Sequence, residues 1–329
     1  MRTQPDRAVC ALFALILTAL GGCEKVQWGG AEVRVVKPPP PEGAAPATPT
    51  PSEATDLGLP RGTVLFHVVR GQGQDRLVPV AEVSGDSMRP LQRPAGVSPQ
   101  AFEQRFLEAV MPANGQFVLF RRGARVGTFT LGAPGPLTSC GVPTGVGQAA
   151  TVAAAAADQE FLAFRKGLEP DVVGEFGPPQ VDGPIRRYAA LVAERLVLTG
   201  GLPRPGSWPR AQRDLQAMDL ARGGNVEMAT TFLSGDNLAV GAADAEGWSV
   251  FYVAAYEQRT GYNPIYSEVS DYRRTSKRAP KAVDHLNWNG KGGNELLVQV
   301  FGPTDSWYEI ITSDRGGRWL KTWEGKPCR

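Results

Sequence analysis

Two stretches of the chain share one pattern, "GGNVEMATTFL" at residues 223–233 and "GGNELLVQVFG" at residues 292–302. Each places a Glu in front of an apolar run that is typical of a β-strand. A second apolar run follows each, beginning at Trp248 and at Trp307, and an aromatic strand follows that, "YNPIY" and "RWLKTW". A repeat of about seventy residues made mostly of strands predicts a duplicated β-meander.

The chain before this repeat mixes strands with helices. Runs rich in β-branched and aromatic residues predict two strands within 61–84 and a hairpin over 116–131 that turns at Gly123. Ser98 and the Pro that follows it precede apolar residues at helical spacing, which predicts a helix over 98–111. This part is therefore expected to combine strands with helices.

Two further helices are expected in the middle of the chain. The segment 151–166 is rich in alanine and predicts one helix, and a second is predicted to begin at Pro184 and to end at Gly200. Together these patterns predict an α+β fold that is mainly β, with two or three helices. The expected boundary near residue 170 divides a mixed N-terminal half, 61–170, from a β-rich C-terminal half, 171–329.

The first residues of the sequence predict where in the cell the protein is located. Residues 8–20 are a continuous apolar run with the length of a signal-peptide core. The run leads into "LGGC" at 20–23, which resembles the lipobox of bacterial lipoproteins. The resemblance implies a signal peptide over 1–22 and a lipid, diacylglycerol with palmitate, on Cys23. It also implies a cell-envelope location, and Glu24 favours the outer over the inner membrane.

The segment 23–60 is expected to be a tether that begins at the lipidated cysteine. Its part from 37 to 60 holds eight prolines and almost no large apolar side chain. Such a segment cannot bury enough surface to offset its ordering entropy. Proline bias extends it to about 3.1 Å per residue, or roughly 70 Å. The expected partner is thus a membrane, held through the N-terminal lipid.

Charge and cysteine content bear on the possible partners and on disulfide bonding. The chain has 35 basic and 33 acidic residues, a balance that argues against a nucleic-acid partner. Cys10 leaves with the signal peptide and Cys23 carries the lipid, so Cys140 and Cys328 remain. In an oxidising envelope this predicts one disulfide that closes a very long loop. Two unpaired thiols are the alternative.

The stretch "VSGDSMRPL" at 83–91 resembles the nucleophile box of serine–lysine peptidases such as signal peptidases. The resemblance implies a serine hydrolase or peptidase that attacks through Ser87. A serine nucleophile needs a base, yet there is no lysine between residues 38 and 165. The alternative is a turn after a strand. We expect no catalytic residue, and Ser87 is the candidate if the hydrolase hypothesis holds.

The stretch "DHLNWNGKGGNELLV" at 284–298 resembles the calcium loops of FG-GAP-type β-propeller repeats. Calcium prefers several charged oxygen ligands, whereas this loop has asparagines where aspartates are expected, and Lys291 adds a repelling charge. We expect no cofactor, with calcium as the alternative. Zinc-type spacing is missing from the sequence. The resemblance implies four candidate ligands: Asp284, Asn287, Asn289 and Glu295.

These observations predict a membrane-anchored cell-envelope lipoprotein that acts as a non-enzymatic binding or scaffolding module. Its expected ligand is a protein, peptide or glycan, because the aromatic residues of the C-terminal half offer a binding face as well as core. Two alternatives stay open, the serine hydrolase using Ser87 and a calcium-binding, propeller-like adhesion module.

Overall fold

The computed structural model describes residues 57–85, 87–172, 176–177, 181–223, 226–291 and 293–325. All of these residues lie in one compact unit that spans 54–329. The predicted signal peptide, Cys23 and Cys328 lie outside the described residues. In the part of the chain that is described, no helix has the length and apolarity needed to cross a membrane.

The first seven strands form a closed antiparallel barrel with one extra strand. The barrel order is β1-β7-β4-β5-β6-β2, and β1 also pairs with β2, which closes the ring. Closure leaves the six strands without free edges. The short β3 pairs only with β2 and extends outward from it. The strands are β1 (Thr63–Val69), β2 (Asp75–Ser84), β3 (Ser87–Pro90), β4 (Gln116–Arg121), β5 (Ala124–Leu137), β6 (Pro143–Thr151) and β7 (Glu160–Arg165).

Alternation along the strands separates a barrel interior from an outer apolar face. Phe66 and Phe117 belong to the interior core, whereas Leu65 and Val118 belong to a second core outside the barrel. Helix α1 (Pro99–Val110) adds its buried Phe102, Phe106 and Val110 to the interior core. The predicted helix, with Ser98 accepting a hydrogen bond from Ala101 N as its N-cap, is confirmed.

The helix predicted over 151–166 is wrong. Residues Pro143–Thr151 form β6 and Glu160–Arg165 form β7, with one 3₁₀ turn at Ala153–Ala155 between them. β7 pairs with β1 on one side and β4 on the other, and its apolar side chains fill both cores. Two strand partners and double-sided burial outweigh the intrinsic helix preference of alanine, which is weak.

The C-terminal half contains two four-stranded antiparallel meanders, as the repeat predicted. The first runs β8 (Gln212–Met218), β9 (Glu227–Ser234), β10 (Trp248–Glu257) and β11 (Gly261–Asp271). The second runs β12 (Ala279–Leu286), β13 (Glu295–Phe301), β14 (Ser306–Ser313) and β15 (Trp319–Glu324). Helices α2 (Gly183–Thr199) and α3 (Trp208–Ala211) precede them.

The elements stack in layers. α2 packs on one face of the first meander, around Tyr252, whose hydroxyl donates to Ala189 O. The opposite face shares a core with the second meander, in which Phe251 and Val298 are buried. The far face of the second meander packs on the outer face of the barrel, where Leu297 is buried. The predicted α+β class, mainly β, is confirmed.

Candidate binding cleft and the two sequence motifs

The "VSGDSMRPL" stretch is a hairpin between β2 and β3. Ser84 pairs with Ser87 at its end, and Gly85 takes a φ of 58°, which suits a glycine. Ser87 Oγ donates a hydrogen bond to Ser84 O at 2.9 Å. Among the described residues, no histidine, lysine or carboxylate forms a hydrogen bond with Ser87 Oγ, and Asp86 lies outside them. Within that part of the chain, Ser87 caps its own turn.

The two repeat loops share their length and a hydrogen bond. The connections 219–226 and 287–294 have the same length and join equivalent strands. Glu227 Oε2 accepts from Leu220 N at 2.8 Å, and Glu295 Oε2 accepts from Trp288 N at 3.1 Å. In both loops the carboxylate therefore holds the backbone N–H seven positions before it.

Backbone geometry supports the same alignment. Arg222 and Gly290 occupy equivalent positions and both have a left-handed φ, 55° and 73°. The counterpart of Asp219 is then Asn287, one residue beyond β12. Asp284 lies within β12 itself and is not the counterpart of Asp219.

Asp284 belongs to β12 and fastens the second meander to the barrel. Its two carboxylate oxygens accept from Arg122 N at 2.9 and 3.0 Å, and one accepts from His285 N at 2.8 Å. Arg121 Nη1 lies 3.5 Å from the same carboxylate. Asp284 is 1% exposed. A network of this kind is costly to break when it is buried.

The other candidate calcium ligands lie around the second loop. Asn289 Oδ1 accepts from Lys291 N at 2.8 Å, and the buried Asn287 Oδ1 makes no hydrogen bond with a described residue. Glu295 holds Trp288 N, as described above. No group of three or more His, Cys, Asp or Glu side chains suited to a metal occurs within the described ranges. Calcium binding stays a prediction.

Both sequence motifs border one cavity of about 690 Å³. Gly85 and Met88 of the β2–β3 hairpin form one wall, and Trp288, Asn289 and Lys291 of the second loop form another. The two motifs are about 200 positions apart in the chain. The packing of the second meander on the barrel brings them together.

A second cavity, which we call the aromatic cleft, lies further along β3. It has a volume of about 220 Å³ and opens between the barrel and the second meander. The barrel contributes Arg76, Pro79 and Pro90, and the second meander contributes Tyr308 and Trp323. β3 thus separates two cavities, because its start borders one and its end borders the other.

Arg76 gives the aromatic cleft a positive group. It is exposed at the cleft wall and forms no ion pair or hydrogen bond through its side chain with a described residue. Asp305 and Gln299 supply polar groups on the opposite wall. An unpaired cation beside half-buried aromatic side chains suits a ligand that has both an anionic group and a ring or apolar face.

A buried chain of polar groups stands behind Tyr308. The Tyr308 hydroxyl lies 3.0 Å from His67 Nδ1, and His67 Nε2 lies 3.6 Å from Glu160 Oε1. Lys281 Nζ lies 2.5 Å from the other oxygen of Glu160. Burial raises the pKa of Glu160, but the neighbouring His67 ring and Lys281 ammonium outweigh burial and hold that pKa at about 2.

This chain resembles a proton relay in its order, yet the chemistry of Tyr308 favours binding. Burial raises the pKa of Tyr308 above its usual range. The phenol therefore stays protonated at neutral pH and acts as a hydrogen-bonding group. His67 lies in the apolar strand β1 and is fully buried. Its partners Tyr308 and Glu160 carried no sequence signal, because they come from distant strands.

Cys140 also borders the aromatic cleft and is not a free cysteine. Cys328 lies outside the described residues, so a disulfide between the two stays a prediction. None of the protein-family models, curated proteins or solved structures compared with the chain matches it.

Proposed function

We propose that the protein is a membrane-anchored cell-envelope lipoprotein, held by a lipid on Cys23. The support is the apolar run 8–20 that ends at the lipobox-like "LGGC". The folded residues act as a non-enzymatic binding module.

The observation that carries the binding role is the aromatic cleft. The cleft lies between the barrel and the second meander and has a volume of about 220 Å³. Its walls present aromatic side chains, the unpaired guanidinium of Arg76 and several polar groups. Cavities with apolar walls and a few placed polar groups are typical ligand sites. The hydrogen bond between Tyr308 and His67 fixes one wall, so that binding would cost little side-chain freedom.

The ligand that suits this cleft is a peptide or glycan of the envelope that carries a carboxylate. Sugar rings and apolar side chains both stack on aromatic residues, and Arg76 would receive the carboxylate. Peptidoglycan offers glycan strands and peptide carboxylates on one polymer, which makes isolated sacculi a suitable probe.

The test is cosedimentation of the full-length protein with isolated sacculi. Trp323→Ala and Arg76→Ala should each weaken binding about tenfold, or about 1.4 kcal/mol. Trp319→Ala and Arg125→Ala are matched controls, because neither side chain borders the cleft. Equal binding by Trp323→Ala and Trp319→Ala would contradict the assignment of the cleft.

The anchor and the absence of serine chemistry have separate tests. Cys23→Ser should remove the mass of the lipid and release the protein from the membrane fraction. Unchanged membrane association would contradict the lipoprotein proposal. A fluorophosphonate probe should leave the wild-type protein unlabelled. Labelling that disappears in Ser87→Ala would instead support the hydrolase.

A further inference from the structure

The outward face of α2 combines arginines with leucines. Arg187, Leu191, Arg195 and Leu198 follow one another at spacings of three and four residues and so form one stripe. Leu191 and Leu198 are 51% and 52% exposed. The opposite face of the helix, which includes Val192, is buried against the first meander. The stripe has no partner among the described residues.

The stripe carries a net positive charge. Arg187 and Arg195 form no ion pair or hydrogen bond through their side chains with any described residue. The nearest acidic side chain in sequence, Glu194, is already paired with Arg204 at 2.9 Å. A negatively charged partner could therefore pair with two guanidinium groups without first breaking an existing ion pair.

One further exposed apolar side chain lies near the C-terminal end of the helix. Val269 of β11 is 40% exposed, and it lies so close to Gly200 that a Cβ built there would be 3.1 Å from Val269 Cγ1. Leu198 and Val269 are both exposed near the C-terminal end of α2, whereas Leu191 lies near its middle. Exposed apolar groups that adjoin free cations are typical of surfaces that lie on lipid headgroups.

We propose that this stripe, the Arg/Leu face of α2, docks on an anionic phospholipid surface and orients the folded unit on the membrane. Arginine stems can lie along apolar surface while their guanidinium groups reach lipid phosphates, and the leucines enter the interface. The contact is small and would be weak alone. It rests on the proposed anchor at Cys23, which supplies the effective concentration that makes a weak contact productive.

The experiment places a fluorophore beside the stripe. The full-length lipidated protein with Thr199→Cys is labelled and reconstituted into phosphatidylcholine vesicles, with or without phosphatidylglycerol, that carry a headgroup quencher. Thr199 is the exposed last residue of α2, so the stripe stays intact. Ala109→Cys on α1 is the matched control position, and the wild-type protein measures background labelling.

Docking predicts stronger quenching at Thr199 than at Ala109, only with phosphatidylglycerol and mainly at low salt. Arg187→Glu with Arg195→Glu should abolish the difference, since each lost arginine alone weakens the contact about fivefold. Arg125→Glu with Arg315→Glu changes the net charge equally at exposed sites elsewhere and should leave it unchanged. Equal quenching at Thr199 and Ala109 would overturn the proposal. So would an equal loss of the quenching difference in the two double variants, the one in α2 and the control.

Failure of the anchor is separable from failure of docking. A protein that does not float with the vesicles contradicts lipidation at Cys23. The Thr199 probe on that protein is then titrated with the same vesicles. If the fluorescence of that probe does not change more with phosphatidylglycerol than without it, docking is contradicted as well. A protein that floats but shows no selective quenching at Thr199 overturns docking alone.

Discussion

At the scale of single residues, buried charges hold the layers together. Asp284 accepts a hydrogen bond from Arg122 N in the β4–β5 turn and pairs with Arg121. Lys281 of the second meander pairs with Glu160 of the barrel. These polar contacts surround the apolar core that the barrel shares with the second meander, and they favour one register of the two surfaces.

Asp284→Ala should destabilise the protein by about 3–5 kcal/mol, because it leaves Arg122 N and His285 N without their acceptor in a buried site and removes one of the two carboxylates beside Arg121. Urea unfolding followed by tryptophan fluorescence measures this change. Glu108→Ala removes one half of an exposed ion pair with Arg105 and should leave the midpoint nearly unchanged. A similar midpoint for both variants would contradict the role given to Asp284.

Asp214 works against stability at neutral pH. Burial raises its pKa to about 6, and the charge of Lys281 and a hydrogen bond from Gln216 only partly offset this effect. A raised pKa means that the folded state binds the proton more tightly than the unfolded state. The stabilising contribution of this proton is full below pH 3.8 and is lost as the pH rises through 6.

Asp214→Asn should therefore be more stable than the native protein at pH 8, by about 2–3 kcal/mol, and lose that advantage near pH 4. Asparagine keeps an acceptor for Gln216, so that the substitution mainly removes the charge. Thermal unfolding at both pH values measures the difference. An advantage of equal size at pH 4 and pH 8 would mean that the charge is not its cause.

At the scale of elements, each meander begins with the same loop closure. A glutamate at the head of the second strand accepts the backbone N–H of a residue in the loop before it. The repeat letters Gly-Gly-Asn stand one place apart in the two loops, at 223–225 and 292–294, while the glutamates coincide. The matching hydrogen bonds of the two glutamates, and not the Gly-Gly-Asn letters, therefore identify the corresponding positions.

Glu227→Ala should destabilise the first meander by about 1–3 kcal/mol, because Leu220 N is buried and would lose its acceptor. Glu227→Gln keeps a carbonyl oxygen and should recover most of that loss. Urea unfolding midpoints compare the three proteins. Alanine and glutamine variants of equal stability would show that the hydrogen bond contributes little.

Calcium should not raise the melting temperature. The second loop presents asparagine oxygens and a lysine where a calcium loop needs carboxylates, and Asp284 is already occupied by backbone donors. Thermal unfolding with calcium or with a chelator tests this expectation. A clear rise with calcium that Glu295→Ala erases would contradict it and favour the propeller-like adhesion hypothesis.

At the scale of the whole molecule, the barrel and the two meanders form one continuous stack. The second meander is apolar on both faces, one towards the barrel and one towards the first meander. Cys140 lies in the barrel, and Cys328 follows the last strand of the second meander. A bond between them would tie the end of the chain to the barrel beside the aromatic cleft.

Cys328→Ser should lower the stability by roughly 4–5 kcal/mol if that disulfide forms, because the cross-link restricts a very long loop in the unfolded chain. Thermal unfolding with and without reductant, together with thiol counting under denaturing conditions, measures it. Reductant should have no effect on the variant. Two titratable thiols in the unreduced native protein would contradict the bond.

The sequence alone was sufficient for features that depend on neighbouring residues. The helix that begins at Pro99 needs only its cap, its proline and its apolar spacing. The duplicated meander could be read from strand-like runs, since each strand pairs with the next one in the chain.

Only the tertiary structure decided what depends on distant partners. Residues 160–165 form strand β7 and not part of a helix because β1 and β4 are available on both sides of it. Closure of the barrel, the register of Asn287 with Asp219, and the meeting of His67, Tyr308 and Glu160 follow from packing between layers. Such contacts join residues far apart in the chain, and local side-chain preferences carry no information about which distant surface will bury them.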